Sequence, residues 1–368
     1  APFLTFDADP YIVAHEGRLV WIIDGYTTSD YYPYSQAFDS RGEGRRTIQS
    51  LDRVNYVRNS VKAVVDAYNG KVDYYVFDDD DPIIQTWARV FPGLLKSKAD
   101  MPQGLREHVR YPNDFLLVQG LIYSQYHMSD PEVFYNQEDL WVRATEKHYK
   151  KIVPVEPYYV MWELPGSDRA EFVVILPFTP KNKQVLIGWI AGLSDGDNYG
   201  RLLAYNFPKD KRMLGPQQVE TKIDQDPFLS GQLTLWDQQG SEVIRGNVLA
   251  IPVDNSLLYV EPIYLQAETA AYPELRLVAV MYGDQLSYAT TFDEALEGLV
   301  DVNGRAVVGD QSQATIALQA AEAFKGYLSA QGKGEFQQAA EHLQTLSDNL
   351  TRLVEQGLVE RGLREEDH

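Results

Sequence analysis

Asn69-Gly70 stands between two runs in which apolar residues alternate with polar ones, "VKAVVDAY" before it and "KVDYYVFD" after it. Alternation at period two is the signature of a half-buried strand. Asn-Gly favours a type I′ turn, because both residues tolerate positive φ. A two-residue turn sets the pairing. Ala67 then faces Val72, Val65 faces Tyr74 and Ala63 faces Val76, which places six residues on one face, as a hairpin covering a core requires. The same register sets Asp66 against Asp73, a like-charge pair that Lys62 and Lys71 are near enough to relieve. The prediction is a β-hairpin with a solvated acidic edge.

The hairpin runs into "DDDDPII", Asp78 to Ile84. Asp81 before Pro82 reads as a helix start. The carboxylate can accept from the first free backbone amides, and proline fits the first helical position. Ile83, Ile84, Trp87, Ala88 and Phe91 then fall on one helical face, ended by Pro92-Gly93. Asp130-Pro131 and Asp226-Pro227 repeat the device before apolar-periodic stretches. Asp9-Pro10 does not, since it precedes a strand pattern. Asp79 and Asp80 are left without a structural duty and are the candidates for holding a cation.

Elsewhere in the first 150 residues, Leu19 to Asp24 reads as a buried strand and Asn113 to Tyr126 as a helix with Phe115, Val118, Ile122 and Tyr126 on its stripe. Arg143 to Pro157 reads as a basic connection and a boundary. From Tyr158 the pattern is β-rich: 158–164, 170–178, 200–207, 242–253, 256–265 and 274–283 are strand candidates. Lys183 to Leu193 and Gln217 to Thr234 are expected to supply helices between them, and Phe292 to Val300 a short helix capped by Thr291. Asp301 to Asp310 reads as a link. Beyond it, Phe336, Ala339, Leu343, Leu346, Leu350 and Leu353 repeat at helical spacing after "GKG", the pattern of an antiparallel helical hairpin. The class is therefore α+β: a hairpin-and-helix lobe over 1–150, a β-rich lobe over 151–300, and a linker with a helical hairpin over 301–368.

Composition restricts function. The net charge is −20, which argues against nucleic acid or anionic lipid as an electrostatic partner. With no cysteine there is no disulfide, thiolate metal site or cysteine nucleophile; this is compatible with an oxidising compartment. No apolar run approaches the roughly 20 residues that span a bilayer. The chain opens without methionine on "APFLTFDADPYIV" and is expected to be a piece of a longer protein.

Chemical motifs are few. "GLSDG", Gly192 to Gly196, fits the nucleophile-elbow pattern, but the next segment, "DNYGRLLAYNF", reads as loop and strand rather than helix. "DGDNYG", Asp195 to Gly200, begins like a calcium loop through Asp195 and Asp197, yet Tyr199 and Asn206 stand where ligands are needed. "GYLSAQGKG" has the wrong spacing for a phosphate loop. His15, His108, His127 and His148 form no HxxxH pair. No cofactor is expected; the cation weighed is calcium, at Asp79 and Asp80 or at Asp195 and Asp197. The densest candidate for recognition is "DGYTTSDYYPY", where Asp24, Tyr26, Asp30, Tyr31, Tyr32 and Tyr34 concentrate acids and aromatics after a strand.

Several stretches together resemble one family: "FLTFDADPYIV", "WIIDGYTTSDYYPYS", "NYVRNSVKAVVDAYNGKVDYYVFDDDDPII", "HMSDPEVFYNQEDLW", "EPYYVMWELPG", "LPFTP", "DGDNYGRLLAYNFPKDK", "GPQQVETKIDQDPFLSGQLTLWDQQGSEVIRGNVLAIPV" and "SLLYVEPIYLQAE". They are similar to the large bacterial integral membrane proteins of uncharacterised protein family 0182, over Ala1 to Val300. The resemblance implies hydrophobic spans upstream, a cell-membrane location for the whole protein, and a soluble extracytoplasmic region here, with the protein's own membrane part as one partner. It brings no catalytic residues. Together these point to a module that recognises an envelope component or protein partner, with an envelope enzyme, a metal-assisted hydrolase, as the alternative.

Overall fold

A computed structural model describes residues 1–40, 46–148, 151–167, 169–208, 213–237, 240–253, 256–267 and 272–299, with positions 338, 342, 344 and 345 in the tail. Apart from those four tail positions, the expected helical hairpin and its linker lie outside the described residues. Helices and several sheets make the class α+β, as the sequence predicts. The chain divides into two units: Ala1–Ser230 with Asn247–Leu257, and Gly231–Gly246 with the chain from Leu258.

The first unit opens with β1 (Thr5–Phe6), β2 (Tyr11–His15), β3 (Arg18–Ser29), α1 (Arg46–Ser50), β4 (Tyr56–Asp66), β5 (Val72–Val76), α2 (Pro82–Val90) and β6 (Leu95–Ser97). The strands form one sheet in the order β1-β3-β4-β5-β6, with β2 also on β3. Only β5 and β6 pair in parallel. The tight two-residue turn is at Glu16-Gly17, where both φ are positive (48° and 73°) and His15 pairs with Arg18.

At Asn69-Gly70 the expected register is corrected. Val65 faces Val72, Ala63 faces Tyr74 and Val61 faces Val76, two residues from the prediction. The cause is Asp66. Its Oδ1 accepts from the amides of Tyr68 (2.8 Å) and Asn69 (3.2 Å), and its own amide donates to the Lys71 carbonyl, so a four-residue turn closes instead. Of the two turn residues only Gly70 has positive φ. A slip of two preserves the face of every side chain, so the apolar set stays together. The feared pair of acids does not form: Asp66 binds Arg18 at 2.7 Å, and Asp73 binds Lys96 at 2.8 Å.

The predicted helix is α2. Asp81 Oδ1 accepts from the Ile83 amide at 3.0 Å with Pro82 behind it. Ile84 is buried in a cluster with Leu4, Val61 and Val76, while Trp87 stacks on Phe3 at 4.6 Å.

Next come α3 (Gln103–Arg106), α4 (Asn113–Tyr126), α5 (Pro131–Asn136), β7 (Trp141–Arg143), β8 (Thr145–His148), β9 (Lys151–Pro154), β10 (Tyr158–Glu163), β11 (Ala170–Pro180), β12 (Gly188–Leu193) and β13 (Leu202–Asn206), then α6 (Pro216–Gln225) and α7 (Pro227–Trp236). Strands β10-β11-β12-β13 form a second sheet, with β7 on β11. Asp130 and Asp226 cap α5 and α7 through their side chains, as Asp81 caps α2.

Three expectations fail here. The span 183–193 ends in β12, a strand buried at all six positions; an apolar run covered on both faces carries no readable period. Arg143 to Pro157 is no mere connection but largely the β8–β9 hairpin. In α4, burial runs through Asp114, Phe115, Leu116, Leu117, Val118, Gly120, Leu121 and Ser124, so the predicted stripe is half right; Ile122 and Tyr126 are exposed. That helix lies close on the second sheet because Gly120 has no side chain: a Cβ there would stand 2.4 Å from Leu176.

The second unit contains β14 (Ser241–Arg245), most of β16 (Ser256–Ala267), β17 (Glu274–Tyr282), β18 (Gln285–Ala289) and α8 (Phe292–Glu297); β15 (Leu249–Val253) belongs to the first unit. The sheet order is β14-β16-β17-β18. Thr291 caps α8 as expected. Inside this sheet Arg245 forks onto Glu261, both buried, with Nη2 to Oε2 at 2.7 Å.

Candidate functional site

The recognition segment chosen from sequence is divided by the structure. Strand β3 does not stop at Asp24 but continues to Ser29. Asp24 is buried, where its carboxylate takes the Lys62 ammonium and accepts from Asn59 Nδ2 at 3.0 Å. Lys62 has no exposure at all and also lies 5.2 Å from the Tyr199 ring centroid. Tyr26 is equally buried and donates its hydroxyl to Asp7. Burial pushes the Asp7 carboxyl up to about 6, against the hydrogen bonds from Tyr26 and the Asp9 amide. Burial likewise holds the Tyr26 hydroxyl well above its ordinary range. These side chains hold the first sheet together.

The four-aspartate run is divided too. Asp81, a cap in the sequence reading, is also a buried node: Oδ2 accepts from Thr27 (2.5 Å) and Ser60 (2.6 Å), and Oδ1 from Tyr56 (2.9 Å). Burial alone would raise its pKa, but these donors and the Ile83 amide outweigh it and hold the carboxyl below the usual range. Asp78 pairs with Arg58 at 3.0 Å. Asp79 and Asp80 are exposed in the turn before α2.

Asp195 and Asp197 lie in the turn after β12. Asp195 Oδ2 accepts from the Phe172 amide at 2.8 Å, and Asp197 is exposed. Among the described residues no group of three or more His, Asp or Glu side chains is placed to hold a metal ion. Ser194 sits at the end of β12, its Oγ accepting from the Tyr111 amide at 3.0 Å. A short turn at Gly196–Asn198 comes next, in place of the helix a nucleophile elbow requires.

The exposed half of the segment does build a site. After Ser29, residues 30–39 run along the start of β4, with the Asn55 side chain as the main anchor of their first half. Asn55 Oδ1 accepts from the Tyr32 amide (2.9 Å), while its Nδ2 donates to the carbonyls of Tyr32 (2.8 Å) and Ser35 (3.2 Å). The Phe38 amide donates to the Val54 carbonyl. Tyr32 stacks on Tyr56 at 5.5 Å. Tyr34 is fully exposed, at a φ of 60°, a conformation costing a non-glycine residue about 1–2 kcal/mol. Strain of this kind collects at functional positions.

Between this loop and the outer face of α4 lies a groove of about 660 Å³. Its floor is apolar: Leu51, Val54, Val57, Val118, Leu121 and Leu140. The amides of Gln36, Gln125 and Gln137 and the phenols of Tyr34 and Tyr126 also line it, while the Asn55 amide is committed to the loop backbone and the Tyr56 hydroxyl to Asp81. Ile122 and Tyr126, the exposed positions of the predicted stripe, line it, and Tyr126 donates to Gln36 Oε1 at 2.6 Å. Among the described lining residues Asp39 is the sole charged group. An apolar floor with amide and phenol edges suits the binding of a ligand that has an apolar face and neutral polar groups. Of the predicted residues Tyr34 lines the groove and Tyr32 stacks on a lining residue. Sequence reasoning missed Asn55, Gln36 and Gln125, whose one signal was polarity beside apolar positions.

The model of the uncharacterised protein family UPF0182 matches residues 1–236. The chain belongs to this family. Relatives described as UPF0182 proteins include one from Pelotomaculum thermopropionicum, 50% identical over 81% of this chain and 31% of the relative. Another, from Desulforamulus reducens, is 44% identical over 97% and 39%. One from Methanospirillum hungatei is 48% identical over 94% and 39%. This UPF0182 chain thus spans between about a third and two fifths of the length of those relatives. No solved structure matches it. No helix among the described residues is long and apolar enough to cross a membrane.

Proposed function

We propose that this region is the recognition module of a membrane-tethered UPF0182 protein, on the extracytoplasmic side, and that its groove takes an uncharged, saccharide-like component of the cell envelope. The observation that carries the reading is the groove itself: about 660 Å³, apolar below, rimmed by amides and phenols, with Asp39 as its sole charged lining residue among those described. Sugars present an apolar ring face that aromatic groups stack against and hydroxyls that amides satisfy. An acidic chain without cysteine is compatible with an extracytoplasmic setting, and the tether rests on the membrane spans that the family resemblance implies upstream.

Binding of the 368-residue chain to a panel of neutral oligosaccharides, N-acetylglucosamine oligomers among them, tests this. Ile122→Trp fills the groove from an exposed position, and Gln36→Ala removes an amide from its rim. Each is expected to weaken binding by about tenfold, roughly 1.4 kcal/mol, with the thermal transition unchanged. Retention of full affinity in both variants, or no binding by the parent chain, overturns the proposal.

A further inference from the structure

A second cavity in the first unit, about 400 Å³, has the opposite chemistry. Its lining brings together Lys98, Arg106, Glu107 and Asp197, with Ser194 and the aromatic pair Phe77 and Tyr199. The two rings meet edge to face at 5.5 Å. Lys98 Nζ lies 5.2 Å from the Phe77 centroid and 5.5 Å from that of Tyr199, so the rings hold its ammonium at the cavity. Neither Lys98 nor Arg106 forms an ion pair with a described carboxylate, although the chain carries a net charge of −20. Ser194 is only 6% exposed. Its oxygen accepts from the Tyr111 amide, and no described residue accepts its proton. Its proton is therefore available to an acceptor in the cavity.

We propose that this cavity binds a small zwitterion, an oxyanion joined to a primary ammonium by a short link, as in an α-amino acid or phosphoethanolamine. Lys98, Arg106 and the Ser194 hydroxyl take the oxyanion, and Glu107 and Asp197 the ammonium. Phe77 and Tyr199 cover the carbon chain. A simple anion would leave the two carboxylates facing like charge, and a simple cation would do the same to Lys98 and Arg106, so affinity requires both ends. The site is separate from the groove, and the failure of either proposal leaves the other standing.

Calorimetric titration of the 368-residue chain with phosphoethanolamine, glycine, inorganic phosphate and ethanolamine decides it. Both zwitterions should bind, and phosphate and ethanolamine at least about tenfold more weakly. Lys98→Ala with Arg106→Ala should lose about tenfold or more for the zwitterions. Should that double variant fail to fold, Asp197→Asn, in an exposed turn, serves instead: it should weaken zwitterion binding and, by removing a like charge, strengthen the binding of phosphate. Phosphate binding as tightly as the zwitterions, no binding by either zwitterion, or undiminished binding in the variants overturns the assignment. Sedimentation with phosphatidylethanolamine vesicles, with and without competing free phosphoethanolamine, separates a lipid headgroup from a free solute as the source.

Discussion

Residues 24–29 and 30–34 are neighbours that each combine one aspartate with hydroxyl-bearing side chains, yet they do opposite work. Asp24, Tyr26 and Thr27 end β3 inside the protein, each committed to a distant partner: Lys62, Asp7 and Asp81. Asp30, Tyr31, Tyr32 and Tyr34 come next, on the surface, and the loop that carries them is held through its backbone by Asn55. The difference teaches that an acid or a tyrosine in this sheet has a role set by what faces it. On the buried side a polar group must be satisfied or it costs stability. On the exposed side the same group is free for a ligand, and its loss leaves the fold alone.

Lys62→Met should give the largest effect. It leaves Asp24 buried with only Asn59 beside it, and removing one partner of a buried ion pair costs about 3–5 kcal/mol. Urea denaturation measures this; a loss below about 1 kcal/mol would mean that water reaches Asp24 and that the two segments differ less than their burial implies.

Next is a pH dependence. The folded-state pKa of Asp7, about 6, lies above its value in an unfolded chain, about 3.9. Between those values the folded state binds more protons. The contribution of Asp7 is therefore fully favourable below pH 4, declines as pH rises toward 6, and is lost above it, a change of about 3 kcal/mol. Asp7→Asn should remove this fall. Denaturation midpoints for parent and variant across that range check it, and parallel curves would show that Asp7 is not buried in solution.

The smallest effect belongs to the surface. Tyr31→Ala, Tyr32→Ala and Tyr34→Ala combined should shift stability by no more than about 0.5–1 kcal/mol, the one packing loss being the Tyr32–Tyr56 stack. Oligosaccharide binding should fall with it. A collapse of the fold in this variant would erase the contrast between the two segments.

The groove was only partly legible in the sequence. Tyr34 was marked by its company of aromatics, and Ile122 and Tyr126 by helical periodicity, although that periodicity assigned them to the core. Asn55 is 23 residues from Tyr32, and nothing near it announces that it anchors a loop. Asp81 was legible as a helix cap, since its capped amide is two residues away. It was not legible as the acceptor for Thr27, 54 residues off.

What the sequence by itself determined are features decided within a few residues of themselves. The three Asp-Pro helix starts, the Thr291 cap, the α+β class and the side-chain face of each strand in the Asn69-Gly70 hairpin all belong here, because capping bonds and the period of two are local. Only the tertiary structure decided the register of that hairpin, where Asp66 closed a wider turn. It alone made β12 a strand, by covering both of its faces. It alone sent Asp24 and Lys62 inward together while Asp79 and Asp80 stayed in water. Burial is conferred by residues far away in the chain, and a charge enters the interior only where the fold supplies its partner.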